Sequence, residues 1–152
     1  MKIEPMDGFA ELMKELEHDA KIITSPQTVE AVTMAGADTI APEVKSQAER
    51  QGISRVAKSV ATEFDEEEQV GVVGWGGEMN AGRGNSAHGY MGPWYEFGTA
   101  ERRTKGRSGK GKKKCAAHST GVLRARPHMR PGYQNKRKQA GDAMINELKS
   151  RL

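Results

Sequence analysis

The sequence has almost no cysteine, few aromatic residues and no long hydrophobic run. Its single cysteine, Cys115, excludes an intrachain disulfide, and an isolated thiol is typical of a reducing cytoplasm. No segment approaches the roughly 18 consecutive apolar residues that a membrane span needs. Residues 1–17 mix acidic with apolar side chains and do not resemble a signal peptide. We therefore expect a protein that stays in the cytosol, or in a particle assembled there.

Apolar residues are also scarce for a chain of 152 residues. They make up 36% of the sequence, and 18 glycines add backbone entropy that folding must overcome. This composition predicts one domain over residues 1–152 with a small core, and flexible loops over about 76–92 and 100–121. Because such a chain often buries its remaining apolar surface against neighbouring subunits, we expect an oligomer.

Charge is divided unequally along the chain. Residues 1–100 carry 8 Lys/Arg and 17 Asp/Glu, whereas residues 101–152 carry 16 Lys/Arg and 3 Asp/Glu. A chain with an acidic front and a basic back is suited to binding a charged partner, including another copy of itself.

Hydrophobic spacing predicts helices in the first third of the chain. One helix is predicted from about Gly8 to Ile23, with Asp7 as its N-cap. A second is predicted to start at Ser25-Pro26, where serine caps the helix and proline takes its first position. Pro42 is expected to interrupt or restart this helix, and Gly52 to end it.

The rest of the chain predicts an α+β fold with a small antiparallel sheet. An extended run from about Arg55 is expected to pair with the β-rich segment 69–75 through an acidic turn at 65–68, although a helix through Ala61 is the alternative. Residues 94–99 are expected to form a short aromatic strand or a strand-to-turn element. After the long basic loop, an amphipathic helix is predicted beyond Pro131, with an apolar stripe of Tyr133, Ala140, Met144, Ile145, Leu148 and Leu152.

No group of residues has the composition of a catalytic or cofactor site. Cys115 and His118 form a lone Cys-x2-His pair, whereas a structural zinc site needs a second pair. No serine or cysteine has a locally identifiable base. The glycine-rich segments 82–85 and 109–112 lack the spacing of a phosphate-binding loop. We expect no enzymatic activity, no cofactor and no metal.

One segment implies a partner, because residues 101–114 hold eight cations and no apolar side chain. This composition predicts a disordered or extended basic arm. Its cations are Arg102, Arg103, Lys105, Arg107, Lys110, Lys112, Lys113 and Lys114. Without interleaved aromatics they can contact phosphates but cannot read bases. Three interpretations stay open: a nucleic-acid contact, docking on the acidic surface of another subunit, or a solvated loop.

Two short motifs bracket this arm. They are Trp94-Tyr95-Glu96-Phe97-Gly98-Thr99 and Arg126-Pro127-His128-Met129-Arg130-Pro131. The aromatic side chains of the first motif are expected to belong to the core on one face and to an interface on the other. Glu96 is expected to face away from them or to pair with an arginine. Tyr95, Phe97 and Arg126 are expected to hold the sheet to the final helix.

With these residues the chain resembles the head–tail neck and tail-completion proteins (minor tail components) of long-tailed, lambdoid-type bacteriophages. The resemblance covers about residues 9–152. It rests on the order of five elements: Ala41-Pro42, Gly52, Ser59-Val60, Tyr95-Glu96-Phe97-Gly98-Thr99 and Ala125-Arg126-Pro127-His128-Met129-Arg130-Pro131. The chain departs from the family at His128, where the family usually has an aromatic residue. The stretch between Pro42 and Gly52 is longer than in the family, and the loop between Thr99 and Arg126 is longer and much more basic.

The resemblance implies a structural virion protein, assembled in the host cytoplasm, at the junction of capsid and tail. It also implies a ring of six or twelve copies, as neck connector, tail-completion protein or tail terminator. Its partners would be the connector or stopper and the tail-tube protein, with non-specific contact to the DNA in the channel. The alternative from another class is a sequence-independent nucleic-acid-binding protein that uses the basic arm.

Overall fold

The computed structural model describes residues 9–76, 89–103 and 117–152, and its fold is α+β, as predicted. Asp7, the predicted cap of the first helix, lies outside these ranges. A 3₁₀ turn at Gly89–Met91 accompanies the numbered elements. In chain order these are α1 (Phe9–Ile23), α2 (Pro26–Arg50), α3 (Ser54–Ala57), β1 (Val60–Asp65), β2 (Val70–Trp75), α4 (Gly92–Phe97), β3 (Arg102–Arg103), β4 (Ser119–Gly121) and α5 (Met129–Lys149).

The chain divides into two compact units. The first contains the described parts of residues 1–41, 62–74 and 136–152, and the second those of residues 42–61 and 75–135. Helices α2 and α5 and strands β1 and β2 have residues in both units. The expectation of one domain over the whole chain stays a prediction.

Helix α2 begins where Ser25-Pro26 predicts it. The Ser25 hydroxyl oxygen accepts a hydrogen bond from the backbone N–H of Thr28 at 3.3 Å and donates one to the Thr28 hydroxyl at 2.9 Å. Pro26 is the first helical residue, a position where its missing N–H leaves no hydrogen bond unmade. The local signal therefore acts as predicted.

The prediction that Pro42 interrupts or restarts this helix is wrong. Helix α2 runs from Pro26 to Arg50 with Pro42 inside it. A proline within a helix removes one backbone hydrogen bond and crowds the preceding turn. Here the Pro42 ring is exposed, whereas Ala41 and Val44 beside it are 6% and 1% exposed. Burial of its neighbours on either side holds the helix continuous, because tertiary packing outweighs local propensity.

Gly52 ends α2, as predicted, in a left-handed conformation with φ of 72°. Its N–H donates to the carbonyl of Glu49 at 2.9 Å, and the N–H of Ile53 donates to the carbonyl of Ala48 at 3.0 Å. Ala48 and Ile53 are buried together with two residues of α3, and Trp75, Met91 and Tyr95 pack against this cluster. The C-terminal end of α2 thus contributes to the hydrophobic core of the second unit.

Strands β1 and β2 form the predicted small sheet, although its borders differ from those expected. The extended run begins at Val60 rather than near Arg55, and the helix before it ends at Ala57. In the acidic turn between the strands, the Asp65 carboxylate accepts the backbone N–H groups of Glu67 and Glu68 at 3.0 and 3.2 Å. Asp65 stabilises the turn, because its carboxylate accepts the N–H groups of residues two and three positions later.

The prediction of an aromatic strand at residues 94–99 is wrong, because residues 92–97 form helix α4. Pro93 lies in the first turn, where its fixed φ favours a helix, and Gly98 ends the helix with φ of 76°. The predicted loop over residues 76–92 therefore ends in helical structure from Gly89 onward. Its residues 77–88 lie outside the described ranges.

Residues 98–128 connect α4 to the final helix. Strands β3 and β4 pair in antiparallel orientation, and residues 104–116 between them are not described. Helix α5 starts at Met129, two residues before the predicted boundary, because Pro131 fits within the first turn. Of the predicted apolar stripe, Ala140 is buried, whereas Tyr133 and Ile145 are more than half exposed.

Candidate functional site

Glu96 is the buried centre of the second unit. It lies on α4 between Tyr95 and Phe97, and only 8% of its surface is exposed. Glu96 therefore points into the fold, and its partners among the described residues are three backbone N–H groups and the His128 ring rather than an arginine side chain. A buried carboxylate needs hydrogen-bond donors to replace water, and the donors here come from the second motif.

The Glu96 carboxylate caps the N-terminus of helix α5. One oxygen, Oε2, accepts the backbone N–H groups of His128 at 2.6 Å and Met129 at 3.0 Å, and Oε1 accepts that of Arg130 at 3.2 Å. The first N–H groups of a helix have no partner within the helix, and the helix dipole favours a negative charge at this end. A side chain remote in sequence thus does the work of an N-cap.

The environment of Glu96 favours its ionised form. Burial raises the pKa of the carboxyl group, but the backbone hydrogen bonds from His128, Met129 and Arg130 and the nearby His128 ring lower it by more in total. The pKa of Glu96 therefore lies below its usual value, so that the carboxylate is charged at neutral pH.

The His128 side chain is fully buried and connects Glu96 to Trp75. The indole Nε1–H of Trp75 donates to His128 Nε2 at 3.0 Å. An indole nitrogen can only donate, so Nε2 is the acceptor and the ring proton resides on Nδ1. This nitrogen lies 3.1 Å from the Arg126 carbonyl oxygen and 3.2 Å from Glu96 Oε2. The hydrogen-bond network thus assigns the tautomer of the histidine.

Three glycines allow backbones to approach closely around this network. A Cβ at Gly92 would lie 2.3 Å from the Trp75 ring, and one at Gly89 would lie 2.2 Å from the Gly76 carbonyl oxygen. A Cβ at Gly132, in the first turns of α5, would lie 2.6 Å from the Val44 side chain on α2. These close contacts explain why glycine occupies helical positions where alanine would have the better helix propensity.

A second set of hydrogen bonds joins the two motifs away from the carboxylate. The backbone N–H of Arg126 donates to the carbonyl of Tyr95, and the Arg126 guanidinium donates to the carbonyl of Gln51 at 3.1 Å. The Gln51 side-chain amide donates in turn to the carbonyl of Pro127. These bonds join α4 and the end of α2 to the segment before α5, and the expectation that Tyr95 and Arg126 hold the sheet to the final helix stays a prediction.

Residues that follow α4 run alongside the segment that precedes the second motif. The N–H of Thr99 donates to the carbonyl of Leu123 at 2.9 Å, and the Thr99 hydroxyl oxygen accepts the N–H of Leu123 at 3.2 Å. Gly98 makes this approach possible, because a Cβ there would lie 2.9 Å from the Leu123 carbonyl oxygen.

Two aromatic residues of the first motif are more exposed than expected. Phe97 is 79% exposed and Trp94 is 39% exposed, whereas Tyr95 is half-buried against the core. The prediction that Phe97 holds the sheet to the final helix is therefore wrong. In a strand, alternation would point Tyr95 and Phe97 into the fold and Glu96 outward. In helix α4, Glu96 points inward and Phe97 is exposed.

The described part of the basic arm is at the protein surface. Arg102 and Arg103 are exposed, and the Arg102 guanidinium carbon lies 5.3 Å from the centre of the Trp94 ring. Arg103 lies 4.0 Å from the exposed Glu101. The other six cations, Lys105, Arg107, Lys110, Lys112, Lys113 and Lys114, lie outside the described residues, as does Cys115.

Residues 9–76, 89–103 and 117–152 contain no cluster of three or more potential metal ligands. Every buried side-chain nitrogen and oxygen atom in these ranges has a hydrogen-bond partner. None of their helices is long and apolar enough to cross a membrane. The polar groups around Glu96 thus hydrogen-bond to one another.

Sequence reasoning singled out Glu96 and His128 without finding their roles. Glu96 lies within an aromatic motif, and nothing near it in the sequence shows that it caps α5. Helix α5, in turn, has no Ser, Thr, Asp or Asn directly before it that could act as a local N-cap. A helix start without a local cap could have indicated a remote one.

No protein-family model, curated protein or solved structure matches the chain.

Proposed function

We propose that this chain is a non-enzymatic structural subunit of a phage head–tail junction, acting as a neck, tail-completion or tail-terminator protein of the virion. In this role six or twelve copies form a ring between the capsid connector or stopper and the tail tube, around the channel through which the DNA passes. The proposal combines the motif resemblance with the packing of the two motifs on each other.

The observation that carries the proposal is the contrast between a core of small side chains and a surface with large ones. Among the described residues, the buried hydrophobic side chains are Ala37, Ala41, Val44, Ala48, Ile53, Val56, Ala57, Val60 and Ala140. No described leucine, methionine or phenylalanine is buried, and several are 40% exposed or more. Apolar surface left uncovered on this scale is typical of chains that bury it against other subunits.

The joint around Glu96 supports a structural role. It links the two motifs on which the resemblance rests, and it uses the carboxylate, the imidazole and the indole N–H as mutual partners. A catalytic carboxylate would need access to a substrate, whereas this one is 8% exposed and holds three backbone N–H groups. The site fixes the direction of α5 rather than offering a reactive group.

The first test is the oligomeric state of the purified chain. We expect multi-angle light scattering to give the mass of a ring, and negative-stain electron microscopy to show annular particles. A nonsense codon in the gene of the parent phage should give separate heads and tails, and the gene supplied in trans should restore joined particles. Normal joined particles without the protein, together with a monomeric protein at every concentration, would exclude the proposal.

A second candidate function, sequence-independent nucleic-acid binding, is favoured by the exposure of Arg102 and Arg103 beside the other cations of the arm. It predicts tight binding of duplex DNA that weakens steeply with salt. Serine substitution of Lys105, Arg107, Lys110, Lys112, Lys113 and Lys114 should abolish that binding. If these substitutions instead leave weak DNA binding unchanged but prevent head–tail joining, the arm contacts protein.

A further inference from the structure

One face of helix α1 carries a stripe of exposed apolar side chains. Leu12, Met13, Leu16 and Ile23 are 51%, 42%, 54% and 41% exposed. At about 100° per residue these four positions fall within an arc of roughly 100° around the helix axis. Single exposed leucines are ordinary on protein surfaces, but a continuous stripe along one helix indicates a contact surface.

Carboxylates border this stripe on both sides. Helical spacing places Glu15 next to Leu12 on one side and Glu17 beyond Met13 on the other. The two lysines of the helix, Lys14 and Lys21, fall on the opposite face. A partner for this face of α1 therefore needs apolar surface bordered by positive charge.

The second unit has a surface of that description, formed by Tyr90, Trp94, Phe97 and Arg102, with the exposed Arg103 next to Arg102 in the chain; these five residues are here called the aromatic–arginine patch. The three aromatic residues are 42%, 39% and 79% exposed, and the two arginines are exposed. The Tyr90 ring meets the Trp94 ring edge-on at 5.8 Å, and Phe97 is three positions from Trp94 on the same helix. Tryptophan, tyrosine and arginine are the residues that dominate protein–protein contacts.

Arg102 is oriented by the tryptophan. Its guanidinium carbon lies 5.3 Å from the centre of the Trp94 ring. A guanidinium held over an aromatic ring keeps its N–H groups available at its edge, where they can bind a carboxylate through two parallel hydrogen bonds. This arrangement also occupies one face of Trp94, which a nucleic-acid base would otherwise use for stacking.

We propose that α1 of one copy docks on the aromatic–arginine patch of a neighbouring copy. The apolar stripe covers Trp94 and Phe97, and the carboxylates of Glu15 and Glu17 meet the guanidinium groups of Arg102 and Arg103. Because the two surfaces are different, the contact is heterologous and repeats from copy to copy, as closure of a ring requires. This inference rests on the proposed function and names the surfaces through which the subunits associate.

Two other occupants are less well matched. Contact between the α1 stripes of two copies would bring their negatively charged carboxylates together, which is unfavourable. A single-stranded nucleic acid would have to displace Arg102 from the Trp94 ring before a base could stack there. The experiment below distinguishes both alternatives from docking of α1 on the patch.

The test exchanges charges across the proposed contact. The double variant Glu15→Arg/Glu17→Arg and the double variant Arg102→Glu/Arg103→Glu should each weaken self-association by about 10-fold or more, because like charges then face each other. Combining all four substitutions in one chain, or mixing the two double variants, should restore assembly. Sedimentation velocity measures the oligomer, and circular dichroism checks that each variant stays folded. The matched control is Lys14→Glu/Lys21→Glu on the opposite face of α1, which should assemble normally.

Two uncharged variants test the apolar half of the contact. Leu16→Ser and Phe97→Ser should each weaken assembly without unfolding the chain, because both side chains are more than half exposed.

Several results would overturn this inference. If Arg102→Glu/Arg103→Glu assembles normally, or the four-fold variant does not recover, α1 does not dock on the patch. If that double variant assembles but loses binding to fluorescent oligo-dT, the patch is a nucleic-acid surface. In either case a wild-type ring would leave the proposed function intact, whereas a wild-type monomer that joins no particles would remove the proposed function itself.

Discussion

The Glu96 carboxylate accepts the backbone N–H of His128 at 2.6 Å, and through this bond a residue of α4 defines where α5 begins. The same oxygen lies 3.2 Å from Nδ1 of the buried His128 ring. One side chain thus satisfies both the helix terminus and the residue that precedes it. The N-terminal cap of α5 thus depends on a single charged group.

The first prediction concerns the charge of Glu96. Glu96→Gln keeps the shape of the side chain but removes the charge that three backbone N–H groups share, and should lower the free energy of unfolding by about 1–3 kcal/mol. Urea denaturation measures the change. Glu101→Gln is the control, because Glu101 is exposed and lies 4.0 Å from Arg103; it should change the free energy by no more than about 0.5 kcal/mol. Equal effects of the two substitutions would contradict the cap.

The second prediction is a pH dependence with a definite sign. The pKa of Glu96 is lower in the folded chain than its usual value. Its contribution to stability is therefore complete above the unfolded-state pKa of about 4.3 and is lost as the pH falls through the lower folded-state pKa. The difference in free energy of unfolding between the wild type and Glu96→Gln should stay constant above about pH 5 and shrink on acidification. A difference that is constant down to the acid transition would show that the charge of Glu96 does not stabilise the fold.

Sequence analysis predicted the fold best where the signal and its structural effect lie close together in the chain. Ser25 caps a residue three positions away, and Gly52 ends a helix through bonds to residues within five positions. The acidic turn at 65–68 likewise closes on itself through Asp65. Local chemistry determines such features, so a single sequence reveals them.

The candidate site could not be predicted in the same way, because its partners are distant in sequence. Nothing beside Glu96 shows that its oxygens meet the N–H groups of residues 128–130, and nothing beside Pro42 shows that buried neighbours will keep the helix intact. The run of aromatic residues at 94–99 predicts a strand, because aromatic residues are enriched in strands. The helix instead turns Glu96 inward and leaves Phe97 exposed.

The third prediction separates the two roles of His128, which fills space and accepts the Trp75 indole N–H. His128→Ala should lower the free energy of unfolding by about 2–4 kcal/mol, because it leaves a cavity and a buried donor without a partner. His128→Phe fills the site with a somewhat larger apolar ring and should cost less, about 1–2 kcal/mol, mainly the penalty of the unpaired indole. His118→Ala, at an exposed position, is the control and should have little effect. If His128→Phe is as damaging as His128→Ala, the hydrogen bond rather than the packing dominates.

The fourth prediction compares two glycines in helices. Gly92→Ala places a methyl group 2.3 Å from the Trp75 ring, so the indole or the start of α4 must shift. We expect this substitution to lower the free energy of unfolding by about 1–3 kcal/mol, since the surrounding core has to shift. Gly141→Ala meets nothing within 4 Å in α5 and should raise the free energy by about 0.5–1 kcal/mol, through the better helix propensity of alanine. Chemical denaturation of both variants checks the opposite signs. A stabilised Gly92→Ala variant would mean that Trp75 does not pack against the start of α4.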